Sequence, residues 1–211
     1  MRQKPFEEIV QTEEELRDLL GYPSELVTRK SITHIDDHVR HFIGLSPMAF
    51  LATSDQMGYC DVSPRGDAAG FVHIIDDKHL VVPERPGNRR LDSIRNILTN
   101  PNIGIIFIIP GLEETLRVNG KACITRDEHL MEQMIAHGKR PLLGIGVEVE
   151  ECYIHCAKAF KRSGLWDTNQ WLESASLPKV SKILADHANM KGIGEEDVAK
   201  SLRETYEKRL Y

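Results

Sequence analysis

Aromatic residues make up only 6% of this 211-residue chain, too few rings for a broad base-stacking platform. A basic excess is missing as well. The formal net charge is -5, whereas a general nucleic-acid or anionic-membrane binder needs a cationic surface. No uninterrupted apolar run approaches the ~20 residues of a membrane helix. Met1 to Pro5 leads into acidic sequence without the apolar segment of a signal peptide. The expectation is a cytoplasmic protein with neither nucleic acid nor membrane as partner. Cys60, Cys123, Cys152 and Cys156 contain no CxxC pair, which argues against a zinc knuckle or a thioredoxin-type site; buried, reduced thiols are expected. HxxxH, HExxH and GxGxxG spacings are all lacking, so no metal is expected and a dinucleotide-binding βαβ unit is disfavoured.

What is present suits one domain with a full core and extensions. Thr12-Glu13-Glu14-Glu15 is a capping box that leads into Leu16, Leu19 and Leu20, and Gly21-Tyr22-Pro23 ends that helix. A second helix is expected over Asp36 to Ile43. Runs at 48–53, 59–63, 70–75, 79–82, 103–109, 114–125 and 142–154 read as strands, mostly joined by hairpins, with helices interrupting at 90–98 and 127–136. That rhythm predicts a closed antiparallel barrel. Beyond Trp171 the chain is polar and helical, with Val180, Ile183 and Leu184 on one face and Val198 and Leu202 on another.

Two basic stretches stand out against the acidic total. In Ser63-Pro64-Arg65-Gly66-Asp67 a guanidinium fork and a hydroxyl suit phosphate oxygens, although Arg65 and Asp67 could equally pair across a plain turn. Arg85-Pro86-Gly87-Asn88-Arg89-Arg90 opens a helix, where the dipole disfavours cations. An anion resting on free helix amides would resolve that conflict; Ser93, Arg95 and Asn96 follow within reach. Arg117, Asn119 and Lys121 alternate onto one strand face, which is either solvent-exposed or lines a cleft. Lys158, Lys161 and Arg162 form the basic side of a short helix before Trp166. No residue stands out as a general acid or base; His73 and Arg117 are the nearest candidates.

Taken in order, the stretches from Phe50 to Asp67, Arg85 to Ser93, Glu114 to Gly120 and His155 to Trp166 resemble the pyridoxamine 5′-phosphate oxidase-like FMN-binding split-barrel family. The match is closest to a bacterial branch of FMN-dependent enzymes with unassigned reactions. The resemblance implies an α+β fold, mainly β, with a six-stranded antiparallel split barrel over residues 46–166. Helices at 1–45 would pack on the barrel and 167–211 would form a helical extension. It further implies a homodimer with FMN at the subunit interface and an FMN-dependent oxidoreductase acting on a small molecule. A flavin carrier or sensor, or a split barrel using deazaflavin or haem, are the alternatives. The FMN phosphate would meet Ser63, Arg65, Arg89 and Arg90, with Asn88 and Ser93 nearby. The backbone of Val82, Pro83, Glu84 and Arg85 would run along the flavin edge, and Arg117 and Asn119 would reach the ring. Lys158, Arg162, Ser163 and Trp166 would close the site. The chain lacks the Trp-x-Arg-Leu-x-Pro signature that grips pyridoxal phosphate in the true oxidases, so the vitamin is not implied as substrate.

Overall fold

Alternation of side chains decides which face of each strand is buried, and the central strands show it plainly. In β1 (Met48–Ser54) Ala49, Leu51 and Thr53 point inward while Met48 and Ala52 are exposed. β5 (Asn102–Ile108) repeats the pattern with Ile103, Ile105 and Phe107 buried. The computed structural model describes residues 5–211; the reading of a missing leader at 1–4 lies outside the described residues.

The remaining strands are β2 (Cys60–Gly66), β3 (His73–Ile74), β4 (His79–Pro83), β6 (Thr115–Thr125) and β7 (Gly144–His155). All pair antiparallel, in the order β2-β1-β5-β6-β7-β4-β3. The sheet therefore has seven strands, not the six that the resemblance implies; the seventh is the two-residue β3. It is also open: β2 and β3 are its two edges and do not pair with each other, so the closed barrel expected from the hairpin rhythm is corrected. The cause is local. β3 is too short to offer a ladder, and Pro64 in β2 has no amide to donate.

α3 (Asp37–Leu45) starts where Asp36 accepts a hydrogen bond from the Val39 amide, and it buries Val39, Phe42 and Ile43 against the inner sheet face. α4 (Asp92–Thr99) adds Ile94 and Ile97 to the same core. It starts two residues later than the sequence suggests, because Arg89 and Leu91 both adopt left-handed backbone conformations, with φ of 61° and 60°. α1 (Glu13–Leu20) and α2 (Glu25–Arg29), the latter not foreseen, bury no residue. α5 (Glu128–Gln133) packs Met131 against Val81 of β4. α6 (Lys158–Ser163) follows β7, and α7 (Val180–Ala188) packs with α8 (Glu195–Lys208) around Leu184, Val198 and Leu202. Among the described residues no helix is long and apolar enough to cross a membrane. Of the four thiols only Cys152 is buried, where desolvation pushes its pKa up to about 11. Cys60, Cys123 and Cys156 are exposed, contrary to the expectation from their apolar neighbours.

Candidate functional site

The end of β2 and the loop that leaves β4 come together through ion pairs. Leu51 pairs with Ser63 and Ala49 with Arg65, so Ser63 and Arg65 point to the inner side, toward β4. There Arg65 Nε donates to Glu84 Oε2 at 2.9 Å, both side chains being mostly buried. Arg65 Nη1 donates to Ser63 Oγ at 2.6 Å and to the Pro64 carbonyl at 2.9 Å. Because Ser63 Oγ accepts from Arg65, its own proton is free for an oxygen ligand. Nη2 of Arg65 makes no hydrogen bond among the described residues. The ion pair that the turn sequence suggests, Arg65 with Asp67, does not form: Arg65 takes Glu84, and Arg85 takes Asp67 at 2.7 Å.

Beyond Arg85 the loop turns outward. Asn88 Oδ1 accepts from the Arg90 amide, Arg90 Nε donates to Asp92 Oδ2 at 2.8 Å, and the Arg89 and Arg90 side chains are exposed. The Asp92 carboxylate raises the Arg90 pKa above its ordinary value. α4 begins after Leu91 without a side-chain cap, as do α6 and α7, whereas the first amides of α1, α2, α3 and α5 are met by Thr12, Ser24, Asp36 and Asp127. Uncapped amides beside the exposed Arg89, and beside an Arg90 already paired with Asp92, have the donor chemistry that an anion would accept from. Ser93 is not part of its open side, since its hydroxyl is buried and donates to Asp61 Oδ2 at 2.8 Å. Asn96 likewise fastens α4 to Thr53 of β1. A shallow cleft of about 470 Å³, bordered by Tyr59, Asp61, Arg90, Arg95 and Asn96, runs alongside.

Val82 and Pro83 are buried as whole residues, backbone included, while Glu84 and Arg85 beyond them are partly exposed. β4 pairs with β7 as far as Pro83 and Gly144, and β3 reaches only Leu80 and Val81; past Val81 no strand among the described residues pairs with that second edge.

Arg117 and Asn119 lie on the opposite, outer face of the sheet, in register with Ile106 and Gly104. Asn119 donates to Glu151 at 2.9 Å; Ser31 and then Asn119 hold that carboxyl below its usual range. Nε of Arg117 is buried with no hydrogen-bond partner, the only such side-chain atom among the described residues. Burial, then Arg117 and Lys30, lower the pKa of neighbouring His155. This outer face carries Met48, Phe50, Val62, Ile106 and Ile108, all at least partly exposed. His73, paired with Val81, sits at the far edge in β3.

Lys158, Arg162 and Ser163 are exposed on α6, and Trp166 is fixed by donating to the Leu112 carbonyl at 2.9 Å and stacking on Phe160. Among the described residues no hydrogen bond or ion pair joins them to the arginine loop.

Sequence reasoning missed Asp67 as an anchor and Tyr211 altogether. Tyr211 donates to Asp67 Oδ1 at 2.8 Å across 144 residues of sequence, a contact that no periodicity signals. Burial works to raise the Asp67 pKa, but the bonds from Tyr211, the Ala68 amide and Arg85 outweigh it and hold the carboxyl below its ordinary 3.8. Its contribution to stability is therefore complete above the unfolded-state pKa and is lost as pH falls through the lower folded value. The stability gap between the wild type and Asp67→Asn, measured by urea unfolding, is expected to shrink between pH 6 and pH 3.

The family model described as pyridoxamine 5′-phosphate oxidase matches residues 35–156. No curated protein matches the chain. Among solved structures, HupZ of Group A Streptococcus is 21% identical over 57% of this chain and 93% of its own, with a TM-score of 0.47. An FMN-binding protein of Syntrophomonas wolfei is 10% identical over 56% and 83%, at 0.43. HutZ, the haem storage protein of Vibrio cholerae, is 19% identical over 57% and 94%, at 0.41.

Proposed function

Because the chain belongs to the pyridoxamine 5′-phosphate oxidase family, whose model spans more than half of it, we propose that it is an FMN-binding oxidoreductase acting on a small molecule. The observation that carries this reading is the pairing of an uncapped α4 with the exposed Arg89 and Arg90 and the inward Ser63 and Arg65. The residues fit a phosphate monoester: two exposed guanidiniums, the open Nη2 of Arg65, a hydroxyl with a proton to give, and free amides. Arg85 and Ser93 serve as supports, being spent on Asp67 and Asp61.

When bound, the flavin would supply the hydride chemistry. The chain's own part is to bind and orient it. Glu84 and Arg85, partly exposed beyond the buried end of β4, would lie beside the ring, and Arg65 and Ser63 would hold the phosphate end.

We take the working unit to be a homodimer. The apolar outer sheet face calls for a cover. A second copy laid on that face would bury Met48, Phe50, Val62, Ile106 and Ile108.

The visible spectrum of the purified protein, with mass identification of any released cofactor, tests the reading. Flavin bands and FMN are expected. A colourless protein that quenches no fluorescence when titrated with FMN would overturn it. Sedimentation at micromolar concentration should give twice the 23.9 kDa chain mass.

A further inference from the structure

Four separate parts of the chain meet at Asp67, whose side chain is 2% exposed. Arg85, from the loop after β4, donates through Nε to Oδ2 at 2.7 Å, and Tyr211, from the segment after α8, donates to Oδ1 at 2.8 Å. Arg85 Nη2 donates to the Met134 carbonyl at 2.9 Å, tying in the end of α5. The Tyr211 ring lies 4.3 Å from the His137 ring, with the Arg85 guanidinium 6.0 Å from its centroid. Lys139 donates to the Tyr211 carbonyl at 2.6 Å.

Arg85 is thus the last fixed point before the exposed arginines. From Gly87 to Leu91 every residue is exposed, and Arg89 and Leu91 hold left-handed conformations that L-residues disfavour. Such a loop keeps its shape only if both ends are anchored. α4 secures one end; at the other, Asp67 holds Arg85, and Tyr211 both bonds Asp67 and covers the pair with its ring. We propose that Tyr211 is a positioning residue for the arginine loop, acting through Asp67 and Arg85, and that it couples the segment after α8 to the donors at the start of α4.

The relevance to FMN rests on the function proposed above, but the effect on the loop does not. Trypsin separates the two, because Arg89 and Arg90 are followed by cleavable bonds whereas Arg85 precedes Pro86. In the full-length protein without added flavin, Tyr211→Ala should speed nicking at Arg89 and Arg90 about fivefold or more, through more frequent local opening. Asp67→Asn should do the same, and the double variant should be no faster than Asp67→Asn alone, since both act on one chain of contacts. Nicking of Tyr211→Ala within twofold of wild type would overturn the proposal. So would a double variant whose acceleration is the product of the two single effects, or acceleration spread over all sites, which would mark loss of the fold. FMN titration of the wild type tests the proposed function separately, because apparent affinity follows the closed fraction, which changes little while the open form stays a minor population. Wild type that binds no FMN would sink the proposed function and leave the nicking result to decide this inference.

Discussion

Arg65→Ala is expected to weaken FMN binding by about 10- to 150-fold, the equivalent of about 1.5–3 kcal/mol for one charged hydrogen bond. The loss has two sources. The phosphate forfeits the Nη2 donor, and Glu84 is left without its guanidinium partner in a mostly buried position. An unpaired carboxylate there repels a phosphate dianion in addition to the missing bond. Arg90→Ala in the same chain should weaken binding further, because Arg90 is one of the two exposed guanidiniums at the start of α4. Riboflavin is the control that makes the result specific. It has the ring and no phosphate, so its affinity should change by less than threefold in either variant. Equal losses for FMN and riboflavin would place the phosphate elsewhere.

Gly120→Ala should cost about 3 kcal/mol or more of folding stability, because added bulk here meets backbone that cannot move aside. Between residues 119 and 120 the β6–β7 register slips, Glu150 of β7 being the extra, bulged residue: Asn119 opposes Glu151 and Gly120 opposes Val149. A Cβ on Gly120 would stand 2.0 Å from the Glu148 carbonyl oxygen and 3.3 Å from the Glu150 amide nitrogen. Relief requires β6 and β7 to part, and those strands carry Leu116, Val118, Val147, Val149 and Cys152 of the core. Gly87→Ala is the matched comparison. Its Cβ would meet open space, and a change within ~0.5 kcal/mol is expected at a surface site of that kind. Urea midpoints measure both; a Gly120 variant within about 1 kcal/mol of wild type would show that the bulge can relax.

The two predictions come from different layers of information. Arg65 was visible in the sequence because an arginine beside a serine and a glycine has a chemistry of its own, whatever surrounds it. Arg89 and Arg90 were visible for a similar reason, as cations at a helix start. Gly120 carries no such signal, since nothing in the strand sequence around it says that a bulge falls there. The same holds for partners. Glu84 takes Arg65 from 19 residues away and Asp67 takes Arg85 from 18, so the nearby Arg65–Asp67 pair that sequence proximity suggested gives way to two longer-range ones.

The sequence by itself determined most of the strands and the faces that α3 and α4 bury, because alternation and helical spacing are local properties of consecutive residues; it did not foresee α2 or that α1 buries nothing. It also determined which segments are rich in phosphate-binding groups, because charge and donor geometry belong to single side chains. Only the tertiary structure decided that the sheet is open with seven strands, since edges depend on which strands fail to pair. It alone showed that Arg85 and Ser93 are spent as supports, that Arg117 Nε is left without an acceptor, and that Tyr211 closes on Asp67. Those facts concern which groups meet across the fold, and a chain read in order carries no record of distance in space.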